Sequence, residues 1–404
     1  MRKRLGHSGS SEQLHPPFLR NGKIVSNRWK ISHRLGAGSF GEVYAADDRE
    51  LKRSVALKIE LGNISNEEGL LKMEVEVLKE LSNRPHTPQL FGAGRRPTYT
   101  YIVISRCGID VYTVKKQCGI VHLSESTVLR LAVHALYAIK QVHEIGYLHR
   151  DVKPSNMVFG VTIQDSKMIY LIDYGLARKY AEKDARTGKW TFRKAREKAE
   201  VRGTTRFCSL NIHRKKEQSR ADDVWALIYS MIDLGPGLPW PKQARDERVQ
   251  RMKEEIGDEK MLSGKLDCFK PIMAHARKLG YYDRPNYKMI YNKLMESIKN
   301  KNIQFDDPYD WENMKKSSSE QLKNDFSLHT ADGTGDSIAK ESHELHDKTK
   351  KTEMAGRPHF PTMEAKYFEL RENDIPSGNS FLPMTPPHKR KGFIKKPVES
   401  EFLI

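Results

Sequence analysis

At 404 residues the chain exceeds the ~250–300 residues at which a single core stops growing, so one two-lobed unit with material left over is expected. It carries 70 Lys and Arg against 52 Asp and Glu, a formal charge of +18, yet has no apolar run of the roughly 18 residues needed to span a bilayer. Met1-Arg2-Lys3-Arg4 is basic but lacks a following apolar stretch, and the four cysteines, at 107, 118, 208 and 268, show no C-x-x-C spacing. A secretory signal, a disulfide framework and a zinc site are therefore not expected, and a reducing, cytoplasmic setting is, with the nucleus as a second compartment.

The excess charge is local. Residues 178–206 hold 11 basic and four acidic residues, a net +7, which would concentrate an anionic partner. No nucleic-acid reader motif accompanies it, so a nucleic-acid partner would rest on charge alone.

In chain order, residues 1–24 show no apolar period and read as a disordered leader. From Trp29 the pattern becomes a strand, a turn at Gly36-Ala37-Gly38-Ser39-Phe40-Gly41, and a second strand through Val43 and Tyr44. Taken alone, G-x-G-x-x-G also fits a dinucleotide-binding loop or an ordinary hairpin. A helix should follow the third glycine of a dinucleotide fingerprint, whereas Glu42-Val43-Tyr44-Ala45-Ala46 reads as a strand. Lys58 ends Val55-Ala56-Leu57-Lys58; a strand lysine is usually solvated. In 66–81, however, Leu70, Val77, Leu78 and Leu81 form a helical stripe with Glu74 inside it. An inward carboxylate needs a partner, and Lys58 is the candidate.

Tyr99–Ser105 reads as a strand, followed by a connector at Arg106-Cys107-Gly108. A long buried helix is expected from the Leu123-Ser124 staple and cap through Val128, Ala132, Ala135, Ile139 and Val142, ending at Gly146. It delivers His149-Arg150-Asp151-Val152-Lys153-Pro154-Ser155-Asn156, and Met157–Phe159 with Ile169–Ile172 look like a hairpin leading to Asp173-Tyr174-Gly175. Val224–Leu234, stopped by Gly235-Pro236-Gly237, reads as a second buried helix. Residues 313–404, with nearly balanced charge and little period, read as a mostly disordered tail.

The glycine loop, the Val-Ala-Leu-Lys strand, the 149–156 loop and Asp173-Tyr174-Gly175, in that order, resemble the protein-kinase motifs. The resemblance implies an α+β, two-lobed kinase fold: a small β-rich N-lobe over about 25–106 and a large, mainly helical C-lobe over about 107–312. It implies ATP and Mg²⁺ as cofactors. Leu35, Gly36, Ala37, Gly38, Ser39, Phe40, Gly41, Val43, Ala56, Ile104 and Val158 would surround ATP, with Lys58 on its phosphates and Glu74 holding Lys58. Asp151 would take the substrate proton, Lys153 neutralise the phosphoryl group, and Asn156 and Asp173 hold the metal. Lys153, two residues after Asp151, implies serine or threonine as acceptor. Tyr174 stands where most kinases have phenylalanine.

Ser209-Leu210-Asn211 in place of Ala-Pro-Glu, with Glu217-Gln218-Ser219-Arg220-Ala221-Asp222-Asp223 and Leu238-Pro239-Trp240, resembles the casein kinase 1 family. Val201-Arg202-Gly203-Thr204 and Tyr309-Asp310-Trp311-Glu312 are similar to its tau-tubulin kinase branch. That implies protein substrates, acidic or already phosphorylated, with Arg206 meeting the substrate anion and Asp223 capping the catalytic loop. The default oligomeric state is monomeric, and no membrane partner is expected. The rival from another class is a silent scaffold of the same fold.

Overall fold

The computed structural model describes residues 18–38, 41–62, 69–162, 164–262, 264–312, 363–371 and 374–378. They fall into two compact units, one built from the stretches up to Val75 and Gln89–Arg106, the other from Glu76–Pro88 and everything described after Cys107.

The first unit is a six-stranded antiparallel sheet. Its strands are β1 (Ile24–Val25), β2 (Trp29–Gly38), β3 (Gly41–Asp48), β4 (Arg53–Leu61), β5 (Leu90–Arg96) and β6 (Tyr99–Ser105), in the order β1-β2-β3-β4-β6-β5. The β3–β4 hairpin turns on Asp48, whose carboxylate accepts the N–H groups of Glu50 and Leu51 at 3.1 Å each. Arg28 grips the same carboxylate through two nitrogens, and that hydrogen bonding holds Asp48 down at about 2. The leader does not extend to residue 24. Leu19 is buried in the sheet core and donates its N–H to the Tyr44 hydroxyl at 2.9 Å, while Phe18 packs edge-on against Tyr99. An isolated plug of this kind has no period for a sequence to display.

Helix α1 (Leu70–Glu80) begins in the first unit and ends in the second. The second unit is mainly helical, around α3 (Glu125–His143), which follows α2 (Val111–Gln117). Ser124 caps α3 by accepting the Thr127 N–H, and nearly every residue from Thr127 to His143 is buried. Such all-round burial makes α3 the axis on which α5 (Arg220–Leu234) and α9 (Tyr287–Asn300) pack. Between them lie α4 (Leu210–His213), α6 (Asp246–Glu255), α7 (Asp258–Leu262) and α8 (Phe269–Lys278). Three short antiparallel pairs decorate this unit: β7 (Tyr147–Leu148) with β10 (Arg178–Lys179), β8 (Met157–Phe159) with β9 (Ile169–Leu171), and β11 (Ala181–Lys183) with β12 (Trp190–Phe192). The expected fold class, a β-rich part and a mainly helical part, is therefore the one observed, although Glu76–Pro88 belong to the second unit. Among the described residues no helix is long and apolar enough to cross a membrane.

His86 is packed inside the second unit against His134 and Tyr137, with Nδ1 2.6 Å from the Ile169 carbonyl. Burial pushes its imidazole down to about 4 from 6.5, so the unfolded chain binds a proton there that the folded one refuses. This contribution is complete above pH 6.5 and is lost as pH falls from 6.5 towards about 4, worth at most about 3 kcal/mol at about 1.36 kcal/mol per unit. Proton uptake on unfolding at pH 5.5 should drop by nearly one in His86→Gln, which keeps an N–H donor; an unchanged uptake would place the titration elsewhere.

Candidate active site

In the first unit, β4 presents the chemistry. Val55, Leu57 and Ile59 are buried in the sheet core with Trp29, Ile31 and Tyr44, so strand alternation turns Ala56 and Lys58 to the opposite face. Lys58 lies opposite Val43 and Ile102, and Ala56 opposite Ile104; directly paired residues share a face. Val43, Ala56, Lys58, Ile102 and Ile104 thus line one surface. Lys58 Nζ stands 2.7 Å from Glu74 Oε2 on α1, with the glutamate side chain 2% exposed and the lysine 25%. Leu35, Gly36, Ala37 and Gly38 form the exposed end of β2, and Gly41 opens β3. Among the described residues a Cβ at Gly36 would meet nothing within 4 Å. Ser39 and Phe40 lie outside the described residues.

In the second unit α3 ends at His143, and the chain turns at Gly146 into β7 and the 149–156 loop. Asp223, in the first turn of α5, holds that loop. Its carboxylate accepts the backbone N–H of His149 at 2.8 Å and of Arg150 at 2.9 Å, and His143 Nε2 lies 2.9 Å away. Burial alone would raise this carboxyl; the His143 hydrogen bond and the backbone donors keep it below its usual range. His149 accepts the Asp151 N–H at Nδ1, so its Nε2–H donates to the Ile172 carbonyl at 3.1 Å. Ile172 in turn donates its N–H to the Asn156 carbonyl. These bonds tie the residue preceding Asp173 to the loop. Val158 sits in β8, buried, paired with Tyr170.

Asp151 is the centre of a dense polar cluster. Its Oδ1 accepts from the Thr204 N–H at 2.9 Å and the Thr204 hydroxyl at 2.8 Å, and its Oδ2 accepts from Lys153 Nζ at 2.6 Å. Asn156 Nδ2 donates to the Asp151 carbonyl at 2.9 Å, which leaves its amide oxygen as the lone-pair atom to face a cation. That oxygen and the Asp173 carboxylate are the hard ligands a Mg²⁺ ion takes. Arg150 and Asp173 both have left-handed backbones, φ 67° and 69°, a strain of about 1–3 kcal/mol each that folds retain mainly at functional sites. The extra hydroxyl of Tyr174 donates to the Leu171 carbonyl at 2.7 Å inside the fold, its ring edge-on to His149. Such an arrangement can orient a hydroxyl, accept its proton at a fixed carboxylate and place a cation beside the developing negative charge.

Arg206 is not free to meet a substrate anion. Its Nη2 and Nε both reach Asp233 Oδ1, at 2.5 and 3.2 Å, and Nη1 donates to the Trp240 carbonyl at 2.7 Å. Its charge is neutralised within the fold, which corrects the role expected from the Gly-Thr-x-Arg resemblance.

Residues 29–305 match the protein kinase domain model. The chain is 34% identical over 330 residues to a Caenorhabditis elegans protein named as a serine/threonine-protein kinase, covering 81% of this chain and 92% of that one. It is 36% identical over 250 residues to a protein of the same organism named an inactive tau-tubulin kinase, covering 60% and 86%. A third, named as a casein kinase I, also from C. elegans, is 30% identical over 299 residues, covering 72% and 85%.

Sequence reasoning assigned no part to Thr204, although it stands in a quoted motif. Gly203 explains why the hydroxyl arrives: at φ +96° it passes so close to Arg150 that a Cβ would overlap the carbonyl oxygen. Lys253 gave no signal at all, since its partners lie 40 or more residues away. Buried in α6, it sends Nζ to the carbonyls of Thr205 and Cys208 at 2.7 Å each and to His213 Nε2 at 3.2 Å, beneath Tyr229 and Trp240. Burial pushes its ammonium down to about 8. It thereby anchors the segment that carries Thr204. Lys253→Met leaves the Cys208 carbonyl without its ammonium donor and the Thr205 carbonyl with only the Cys208 thiol, and should cost roughly 2–4 kcal/mol, read as a fall of several degrees in thermal midpoint. An unchanged midpoint would show that water replaces the ammonium.

Proposed function

Because the chain belongs to the protein kinase family, we propose that it is a serine/threonine kinase that transfers the γ-phosphoryl of Mg-ATP to hydroxyls of protein substrates. The observation that carries this reading is Asp151 held between Thr204, Lys153 and Asn156 on a loop whose backbone is pinned by Asp223. The substrate oxygen attacks phosphorus, its bond to phosphorus forms as the bridging oxygen leaves with ADP, and the hydroxyl proton passes to Asp151. Lys153 balances charge on the transferring group. Lys58, oriented by Glu74, meets the α- and β-phosphates, and the open surface over Gly36 leaves room for backbone to approach them. Asn156 and Asp173 would hold Mg²⁺, which supplies neutralisation of the phosphate oxygens when bound.

One relative bears the name inactive, and a silent scaffold is accordingly the second reading. In this chain Lys58, Glu74, Asp151, Lys153, Asn156 and Asp173 are all present. Transfer of labelled γ-phosphate to casein should occur with the intact protein and fall between about 10² and 10⁴-fold in Asp151→Asn. Nucleotide binding without any transfer by the intact protein would favour the scaffold.

For the preference for acidic or phosphorylated sites, support comes from arginines other than Arg206. Arg178 and Arg196 both pair with the Glu217 carboxylate, and Arg196 also donates Nη2 to it at 3.0 Å. Half-buried Arg150 is pushed down to about 10 by desolvation and then by Arg178, while Arg193 acts in the same direction on Arg178. The guanidinium groups of Arg150, Arg178 and Arg196 near Glu217, with Arg193 beside Arg178, leave positive charge to spare even with Asp223 nearby. Peptides with acidic residues near the acceptor should show higher kcat/KM than neutral ones, and Arg178→Gln with Arg193→Gln should narrow the difference. Equal turnover of both peptide classes by the intact protein would refute the preference.

A further inference from the structure

Residues 363–378 lie inside the range read as a disordered tail, yet their described part is seated on the second unit against α3 and α9. Phe368 is 1% exposed and stacks on Tyr291 with ring centres 4.4 Å apart; the Tyr291 hydroxyl donates to the Met363 carbonyl at 2.6 Å. Ile375 is fully buried in a cluster with Leu148, Tyr180 and Phe192. The polar contacts are as closely matched as the apolar ones. The Ile375 N–H donates to Glu144 Oε2 at 3.0 Å, and Arg220 donates to the Ile375 and Pro376 carbonyls at 3.0 Å each. Asp374 receives Lys140 Nζ at 3.2 Å and Arg284 Nη2 at 3.3 Å.

The receiving side chains are themselves deeply buried: Arg220 is 0% exposed, Lys140 3% and Glu144 5%. Buried charges require partners, and here the segment supplies a large share of them. With the segment seated, these charges are withdrawn from water and paired with it. The groove is therefore a peptide site, and its occupant belongs to the same chain.

Its location gives the docking a consequence. Glu144 directly follows His143, and Arg220 opens α5 three residues before Asp223. His143 and Asp223 form the contact that supports the backbone of His149 and Arg150, immediately before Asp151. Arg284, which binds the segment through the Ile375 carbonyl, also pairs with Glu144 at 2.6 Å and stacks on Tyr287, whose hydroxyl lies 2.6 Å from His143 Nδ1. Both halves of the support are thus braced from the side by one segment.

We propose that the segment described at 363–371 and 374–378 is a docking peptide acting in cis, whose seating in this groove braces the His143–Asp223 contact and so positions the catalytic loop. The inference rests on the kinase reading only for its rate measurement. In the full chain carrying Phe368→Asp and Ile375→Asp, the segment should become open to protease. Amide exchange at His149 and Arg150 should quicken at least tenfold and kcat fall at least tenfold, with KM for ATP within about twofold. A wild-type peptide spanning 360–380, added in trans, should restore both. Unchanged exchange in a variant whose segment has been released overturns the proposal. So does a loss that the peptide does not restore, because the segment would then be ordinary core. If the double variant fails to fold, Asp374→Asn with Ser377→Ala in the full chain takes its place under the same readouts and the same two refuting outcomes. Amide exchange needs no turnover, so a chain without phosphotransfer still decides the docking.

Discussion

Asp223 is the group on which the 149–156 loop of the second unit depends. A carboxylate so deeply buried is tolerated only when donors surround it, and here the donors are two consecutive backbone amides of that loop and a buried imidazole. The exchange is mutual, since the amides precede Asp151 in a segment containing a left-handed arginine and would be orphaned without the acceptor. Helix α5 transmits rigidity to this contact because it is buried along its length and opened by a reciprocal cap between Ser219 and Asp222. The position of the Asp151 carboxylate is therefore set by an acid on α5, more than 70 residues further along the chain.

A second carboxylate, Glu74, plays an analogous part in the first unit, where it orients Lys58. Here the constraint comes from strand alternation: the apolar side chains of β4 are committed to the sheet core, and Lys58 is left on the other face with small and branched neighbours. In both units a buried acid fixes a functional group that is itself more exposed. Lys253 inverts the arrangement, a buried cation gathering carbonyls of the segment that carries Thr204.

The basic surplus of residues 178–206 divides in the same physical way. Arg206 lies within reach of Asp233 and is consumed as structure, whereas Arg178 and Arg196 share Glu217, with Arg150 and Arg193 adding charge beside them. Net charge along a sequence window cannot make this distinction, because each outcome depends on carboxylates that come from α5 and the turn before it.

By itself, the sequence determined the elements with a period and the loops with dense chemistry: the alternation of β4, the apolar stripe bearing Glu74, the all-round burial of α3 and α5, and the order of Gly36–Gly41, Lys58, Asp151 and Asp173. Those signals are local, since period and capping are written within one helix or strand. Only the tertiary structure decided that Leu19 belongs to the sheet core, that Arg206 is neutralised, that Thr204 and Lys253 serve the Asp151 cluster, and that Phe368 and Ile375 are seated in the second unit. Each of those facts is a contact between residues far apart in the chain, made by single side chains with no repeating pattern. Their energies come from burial and from pairing of charge, which exist only once the chain has closed around them.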